Sequence, residues 1–413
     1  MTLRIESVRA TALRPTTENL VLVKVQTSDP GLHGWGCATF TQRHRAVVEL
    51  VESYLEPLLV GRDPARIGEL WRLMHTNGYW RNGPVVNNAI SGVDQALWDI
   101  KGKSAGMPVY DLLGGKVREA AAVYQHAAGR DAEELCDRAA SLVEGGVRHV
   151  RVQLSREAQA PGALAAATAG YGGPALATPP PAGALPGDYY DALAYRRTTI
   201  EAFARLRDGL GDDVELIHDV HSRLSPADAV DFARRLEPFR LFFLEDALPP
   251  EHLDWYQRMR AVTTTPQAVG ELFVHPAEWL PLVAERRIDF LRLHVSAIGG
   301  LTPAWRAAQV CEAHGVKTAW HGPKDTSPVG HTAQLHLDVA SHAFGIQEFP
   351  SFSGPELEIF EGLPELRDGY LYPSDRPGFG IEVDEAAAGR YPAQAEVIGW
   401  TQSRHRDGSL SYP

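Results

Sequence analysis

Hydrophobic patterning divides the chain into two textures. Over roughly the first 120 residues, apolar and polar positions alternate in segments such as ENLVLVKVQT, which predicts antiparallel strands. Two longer segments carry apolar residues at helical spacing. One is HRAVVELVESYLEPLLVG; the other, NNAISGVDQALWDIKGKSAG, repeats Ile90, Val93, Leu97 and Ile100 along one face and stops at Gly106. Together they predict an α+β domain over 1–118. Short apolar runs then recur: AAVYQH, RHVRVQL, ELIHD, LFFLE, QAVGE, DFLRLHV, VKTAWHG and FGIQEF. Helix-like segments such as DAEELCDRAASLVEGG, PADAVDFARRLEP, HPAEWLPLVAERR and PAWRAAQVCEAHG separate them. Strands alternating with helices predict a parallel (β/α) barrel over 119–384, followed by a tail over 385–413. A doubly wound sheet is the alternative, but neither GxGxxG nor GxxxxGK[ST] occurs.

Each apolar run closes on a polar residue: His126, Arg151, Asp219, Glu245, Glu271, Arg292, His321 and Glu348. One polar residue at a strand end is an ordinary boundary, whereas eight in a barrel converge on one mouth, where such folds carry their sites. Asp219, Glu245 and Glu271 stand 26 residues apart, one carboxylate on each of three successive strands. Unpaired, they would repel one another, so either Arg or Lys partners each of them or one cation holds all three. Oxygen-only ligands select a hard divalent ion, and Mg²⁺ leaves positions open for water or substrate. His221 lies two residues beyond Asp219 and shares its face if the strand continues, which would put an imidazole beside the ion.

Composition narrows the function class. The chain is 44% apolar and 22% charged, as expected of a soluble globular protein, and its net charge of −12 argues against a nucleic-acid partner. Cys37, Cys136 and Cys311 are scattered, as free thiols in a reducing cytoplasm would be. No signal-like or membrane-length apolar run occurs, and a cytoplasmic protein is expected. From Ala158 to Gly187 no residue is charged, and a segment of this kind after the second barrel strand is either a functional lid or disorder.

The segments HDVH, FFLEDALPPEH and AVGELF resemble the three metal-ligand strand ends of the enolase superfamily. GVDQALWDIKGKSAGMPVYDLLGG is similar to part of its α+β capping domain. With HGPKD, the resemblance narrows to the mannonate dehydratase subgroup of acid-sugar dehydratases, near the mandelate racemase and muconate lactonizing enzymes. It implies an α/β fold, a modified (β/α)8 TIM barrel of (β/α)7β type with an N-terminal capping domain, to which the C-terminal tail would return. It also implies one Mg²⁺ per subunit on Asp219, Glu245 and Glu271, a homo-oligomer, and no membrane partner. The implied reaction is dehydration of D-mannonate or D-gluconate to 2-keto-3-deoxy-gluconate. The second strand reads RVQ without the lysine pair of the racemases. The subgroup instead implies Arg151 and Tyr171 as the base, with Tyr189 and Tyr190 as competitors, and His221 as the acid. His126, Arg292, His321, Asp325, Glu348 and Thr41 match positions around the sugar acid.

Departures from the subgroup fall at positions of specificity: Thr41 where an asparagine is expected, Pro323 within HGPKD, and a terminal Pro413 where a tryptophan is expected. Two other readings follow, a racemase or epimerase on the same barrel and a dehydratase-derived binding or regulatory protein with little turnover.

Overall fold

The computed structural model describes residues 3–154, 181–185, 189–395 and 403–411. Tyr171 and Pro413 lie outside these residues. The chain falls into two compact units: Met1–Ala122, Gly270–Val283 and Leu291–Glu396 form one, and Val123–Val269, Ala284–Phe290 and Val397–Pro413 form the other.

In the first unit, β1 (Ile5–Leu13), β2 (Leu20–Thr27) and β3 (His33–Cys37) form an antiparallel sheet in that order. The Pro84–Ala105 helix packs on it and ends at Gly106 in the left-handed region, as its pattern predicts. Helix and sheet approach unusually closely. A Cβ on Gly36 would lie 2.0 Å from the Gly92 carbonyl oxygen, and one on Gly34 would lie 2.1 Å from that of Ala96. Only glycine lets the β3 backbone rest directly on the helix backbone. The other predicted helix, from His44 to Leu59, forms with a π-helical turn over Val51–Leu55.

Polar anchors then fix the helix to the later chain of the same unit. Asp94 is fully buried and accepts hydrogen bonds from the Thr302 amide (2.8 Å) and hydroxyl (2.6 Å). Asp99 accepts from the amides of Trp35 (3.1 Å) and Phe379 (2.8 Å). Burial raises the Asp94 carboxyl to about 7 despite these donors. In the same unit, Asn19 exchanges hydrogen bonds with the Gln394 main chain, both at 2.9 Å.

The second unit holds β4 (Ala121–Gly129, from its third residue), β5 (His149–Leu154), β7 (Glu215–Asp219), β8 (Phe243–Glu245) and β9 (Gln267–Val269). These pair in that order, all parallel. A two-residue strand, β6 (Tyr189–Tyr190), pairs instead with Arg404 and His405. The connecting helices Ala132–Glu144, Ala192–Leu210, Pro226–Leu236 and Trp255–Arg260 cover the strands in βαβ fashion. Asp131 and Ser225 cap two of them by accepting the amides of Glu134 and Asp228.

The later runs form β10 (Phe290–Leu291), β11 (Lys317–Thr318) and β12 (Gln347–Glu348). Within the first unit, the Ala319 amide donates to Leu291 (3.0 Å) and the Gly345 amide to Thr318 (2.9 Å), which sets these three strands side by side. Eight strands joined by seven helices are thus present among the described residues, in the order the patterning predicts.

Gly36→Ala should cost on the order of 2 kcal/mol or more of stability in urea titration, because backbone atoms cannot yield to a Cβ. Gly31→Ala, where the nearest atom is a flexible Asp29 oxygen at 3.5 Å, should change little. The raised Asp94 pKa carries a second expectation. The native state holds this proton more tightly than the unfolded chain, so its contribution to stability falls as pH rises from about 4 to about 7. Asp94→Asn, which mimics the protonated carboxyl, should flatten that part of the stability–pH curve.

Candidate active site

Register decides which side chains meet in the second unit. Asp219 pairs directly with Glu245 across β7 and β8, while Arg151 on β5 is level with Ile217, two residues earlier. Two residues along a strand are about 6.6 Å and return to the same face, a distance that an arginine side chain spans. Arg151 accordingly places one terminal nitrogen 3.1 Å from Asp219 Oδ2 and 3.1 Å from Glu245 Oε1. All three residues are buried. His126 is level with Arg151 on β4 and stacks on Tyr124, whose hydroxyl donates to Glu245 Oε2 at 3.4 Å.

His221 departs from the expected placement. β7 ends at Asp219, and the chain turns through the left-handed region at His221 (φ 55°) and Ser222 (φ 59°). The extended backbone that would have put both side chains on one face is therefore absent. The Asp219 carboxylate instead accepts the His221 amide at 2.7 Å, so the turn orients the carboxylate through the main chain. Val220 and Asp246 extend the ladder by donating to Glu245 (3.0 Å) and Ala268 (2.8 Å).

The first unit contains a second cluster of the same composition. Arg292 follows β10 and is fully buried; it reaches Glu348 Oε2 at 3.0 Å and Glu271 Oε2 at 3.1 Å. Glu348 also accepts the Gly322 amide at 2.9 Å. Glu271 comes two residues after β9, behind Gly270, whose φ of 141° would strain any side chain and whose Cβ would lie 3.3 Å from the Arg292 backbone. His321 Nε2 lies 3.4 Å from Glu271, and its Nδ1 lies 2.7 Å from His294 Nδ1. Asp325 stands by this histidine pair, and burial, followed by the charges of Glu18 and Glu348, pushes its carboxyl up to about 7.

Each of the three carboxylates thus has an arginine partner in its own unit. Thr41 is buried and donates its hydroxyl to the Asn19 carbonyl at 2.9 Å, which holds the turn that carries Glu18. Of the tyrosines considered as competing bases, Tyr190 is buried with its phenol pushed up by desolvation, and Tyr189 donates to the Leu185 carbonyl at 2.7 Å. Desolvation disfavours a phenolate at Tyr190. Tyr124 and His294 escaped the sequence reading. Their signal was the spacing of two from His126 and from Arg292, which returns a strand residue to the same face.

Comparison with known proteins places this architecture. Residues 6–114 match the mandelate racemase/muconate lactonizing enzyme N-terminal domain, and residues 134–387 match the enolase C-terminal domain-like family. The chain belongs to the enolase superfamily. Its fold is that of the superfamily, an α+β capping domain with a (β/α) barrel. A D-galactonate dehydratase family member of Enterocloster bolteae is 47% identical, with 99% of each chain covered. Another, of Enterococcus gallinarum, is 46% identical over 99% of this chain and 98% of its own. Among solved structures, an enolase from Pantoea ananatis with bound D-gluconate and Mg superposes with a TM-score of 0.95 at 44% identity, covering all of both chains. An enolase from Agrobacterium radiobacter with sodium and L-malate gives 0.83 at 26% identity, covering 99% of this chain and 100% of its own. The protein is an enolase-superfamily acid-sugar dehydratase, a carbon–oxygen lyase.

Replacing Arg151 by Met should leave Asp219 and Glu245 without their buried guanidinium. In EDTA the variant should lose about 3 kcal/mol or more of unfolding free energy, as breaking a buried ion pair does. A melting curve indistinguishable from that of the parent would show that the guanidinium compensates neither carboxylate.

Proposed function

We propose that the protein dehydrates a six-carbon acid sugar, D-gluconate or D-mannonate or both, to 2-keto-3-deoxy-gluconate, with one Mg²⁺ held by Asp219, Glu245 and Glu271. The observation that carries this reading is the donor set: a carboxylate closing β7, one closing β8 in register with it, and one two residues after β9. The oxygen-only chemistry fits a hard divalent ion. The Pantoea ananatis relative, with its D-gluconate and Mg, supports both the ion and the substrate class. When bound, the ion supplies Lewis-acid stabilisation of the negative charge that develops on the substrate carboxylate.

The remaining steps belong to side chains. Tyr171 takes the C2 proton, and the guanidinium of Arg151 favours its phenolate form. His221 gives a proton to the C3 hydroxyl, the C3–O bond breaks and water leaves. The resulting enol then tautomerises to the 2-keto acid. His126, Arg292, His321, Asp325 and Glu348 orient the polyol, and Thr41 acts through the turn that it holds. The absence of lysine from RVQ disfavours the racemase alternative, which would need bases on both faces. The proposal places the enzyme in the cytoplasm, where its three free thiols suit a reducing environment, and as a homo-oligomer.

The test is turnover of purified protein over a panel of six-carbon acid sugars, with Mg²⁺ and then with EDTA, read as 2-keto-3-deoxy product. Product should form from gluconate or mannonate only with the ion present. Epimerised substrate, or no reaction from metal-loaded protein, would favour the racemase or the binding-protein alternative. Tyr171→Phe should abolish turnover while Mg²⁺ binding, followed by calorimetry, survives.

A further inference from the structure

We infer that His294 is a positioning residue for this reaction, holding His321 in the tautomer that presents an Nε2–H toward Glu271. The inference rests on the reading above, in which His321 lies beside the substrate. Three observations within the first unit lead to it. His294 follows β10 and His321 follows β11, and the two residues form a parallel bridge, so their rings are brought together by the sheet. The Nδ1 atoms are 2.7 Å apart, a hydrogen-bond distance at which one nitrogen carries a proton and the other a lone pair. His321 Nε2 faces a carboxylate oxygen at 3.4 Å, and a lone pair there would be repelled.

These constraints have one neutral solution. If His321 Nε2 bears the proton toward Glu271, its Nδ1 accepts, and His294 Nδ1 must be the donor. Burial supports the neutral form of His294, since desolvation lowers its pKa to about 4. A fixed tautomer matters because each ring nitrogen of histidine does different chemistry, and the partner of one decides the state of the other.

The test uses the full-length, Mg²⁺-loaded protein with ¹⁵N-labelled histidine. In the parent, His321 should show a protonated Nε2 and a pyridine-type Nδ1. His294→Asn places an amide donor near the former Nδ1 and should keep that signature and most of the turnover. His294→Leu removes the donor; His321 should then mix tautomers, and kcat should fall on the order of tenfold or more, with KM changed much less. A protonated Nδ1 on His321 in the parent, or an unchanged signature in His294→Leu, would overturn the assignment. Should His294→Leu fail to fold, the parent spectrum and the Asn variant still decide, because Asn losing the signature also refutes the donor role. If the parent turns over no acid sugar, the proposed function fails, while the tautomer measurement still stands by itself.

Discussion

Burying carboxylates at the ends of parallel strands is the constraint on which the rest of the site depends. An isolated buried anion costs several kcal/mol, and the chain meets that cost in the same way in each unit. A single guanidinium sits between two carboxylates: Arg151 with Asp219 and Glu245, and Arg292 with Glu271 and Glu348. Arginine suits this task because it stays charged and its fork contacts two acceptors at fixed geometry. Each guanidinium is thus shared between two strand ends, which keeps neighbouring carboxylates together without collapse of one upon another.

The neutral groups complete this setting. The Gly322 amide, the Tyr124 hydroxyl and the His221 amide all donate to carboxylates that already have arginine partners. Such donors hold an anion in one orientation with little added charge. The left-handed turn after β7 is part of the same device, because only a sharp reversal brings the His221 amide back onto the side chain of Asp219.

Much of this was legible in the amino-acid order. The recurring apolar runs predicted all eight strands, and their closing residues include both guanidiniums and all four carboxylates of the two clusters. Less legible was anything set by register. Arg151 serves Asp219 because it lies one layer below it across a strand pair, a relation that a linear pattern does not contain. The extended continuation to His221 failed because two consecutive left-handed residues leave no mark in a stretch that contains no glycine. Tyr124 and His294 read as ordinary strand residues, since a buried aromatic or histidine beside a polar strand end is common in cores. Thr41 stood out by its position, while its observed partner, a main-chain carbonyl, has no sequence signature.

The glycine contacts between β3 and the Pro84–Ala105 helix bear on how such a protein can change over evolutionary time. Backbone resting on backbone leaves no side chain to repack, so the capping core has almost no room to drift. The bend that carries Glu18 is held instead by a side chain, through the hydrogen bond from the Thr41 hydroxyl to the Asn19 carbonyl. Point changes there can redraw the surroundings of Asp325 while the scaffold stays fixed. A lineage could therefore vary a few bend positions while the strand ends are inherited intact.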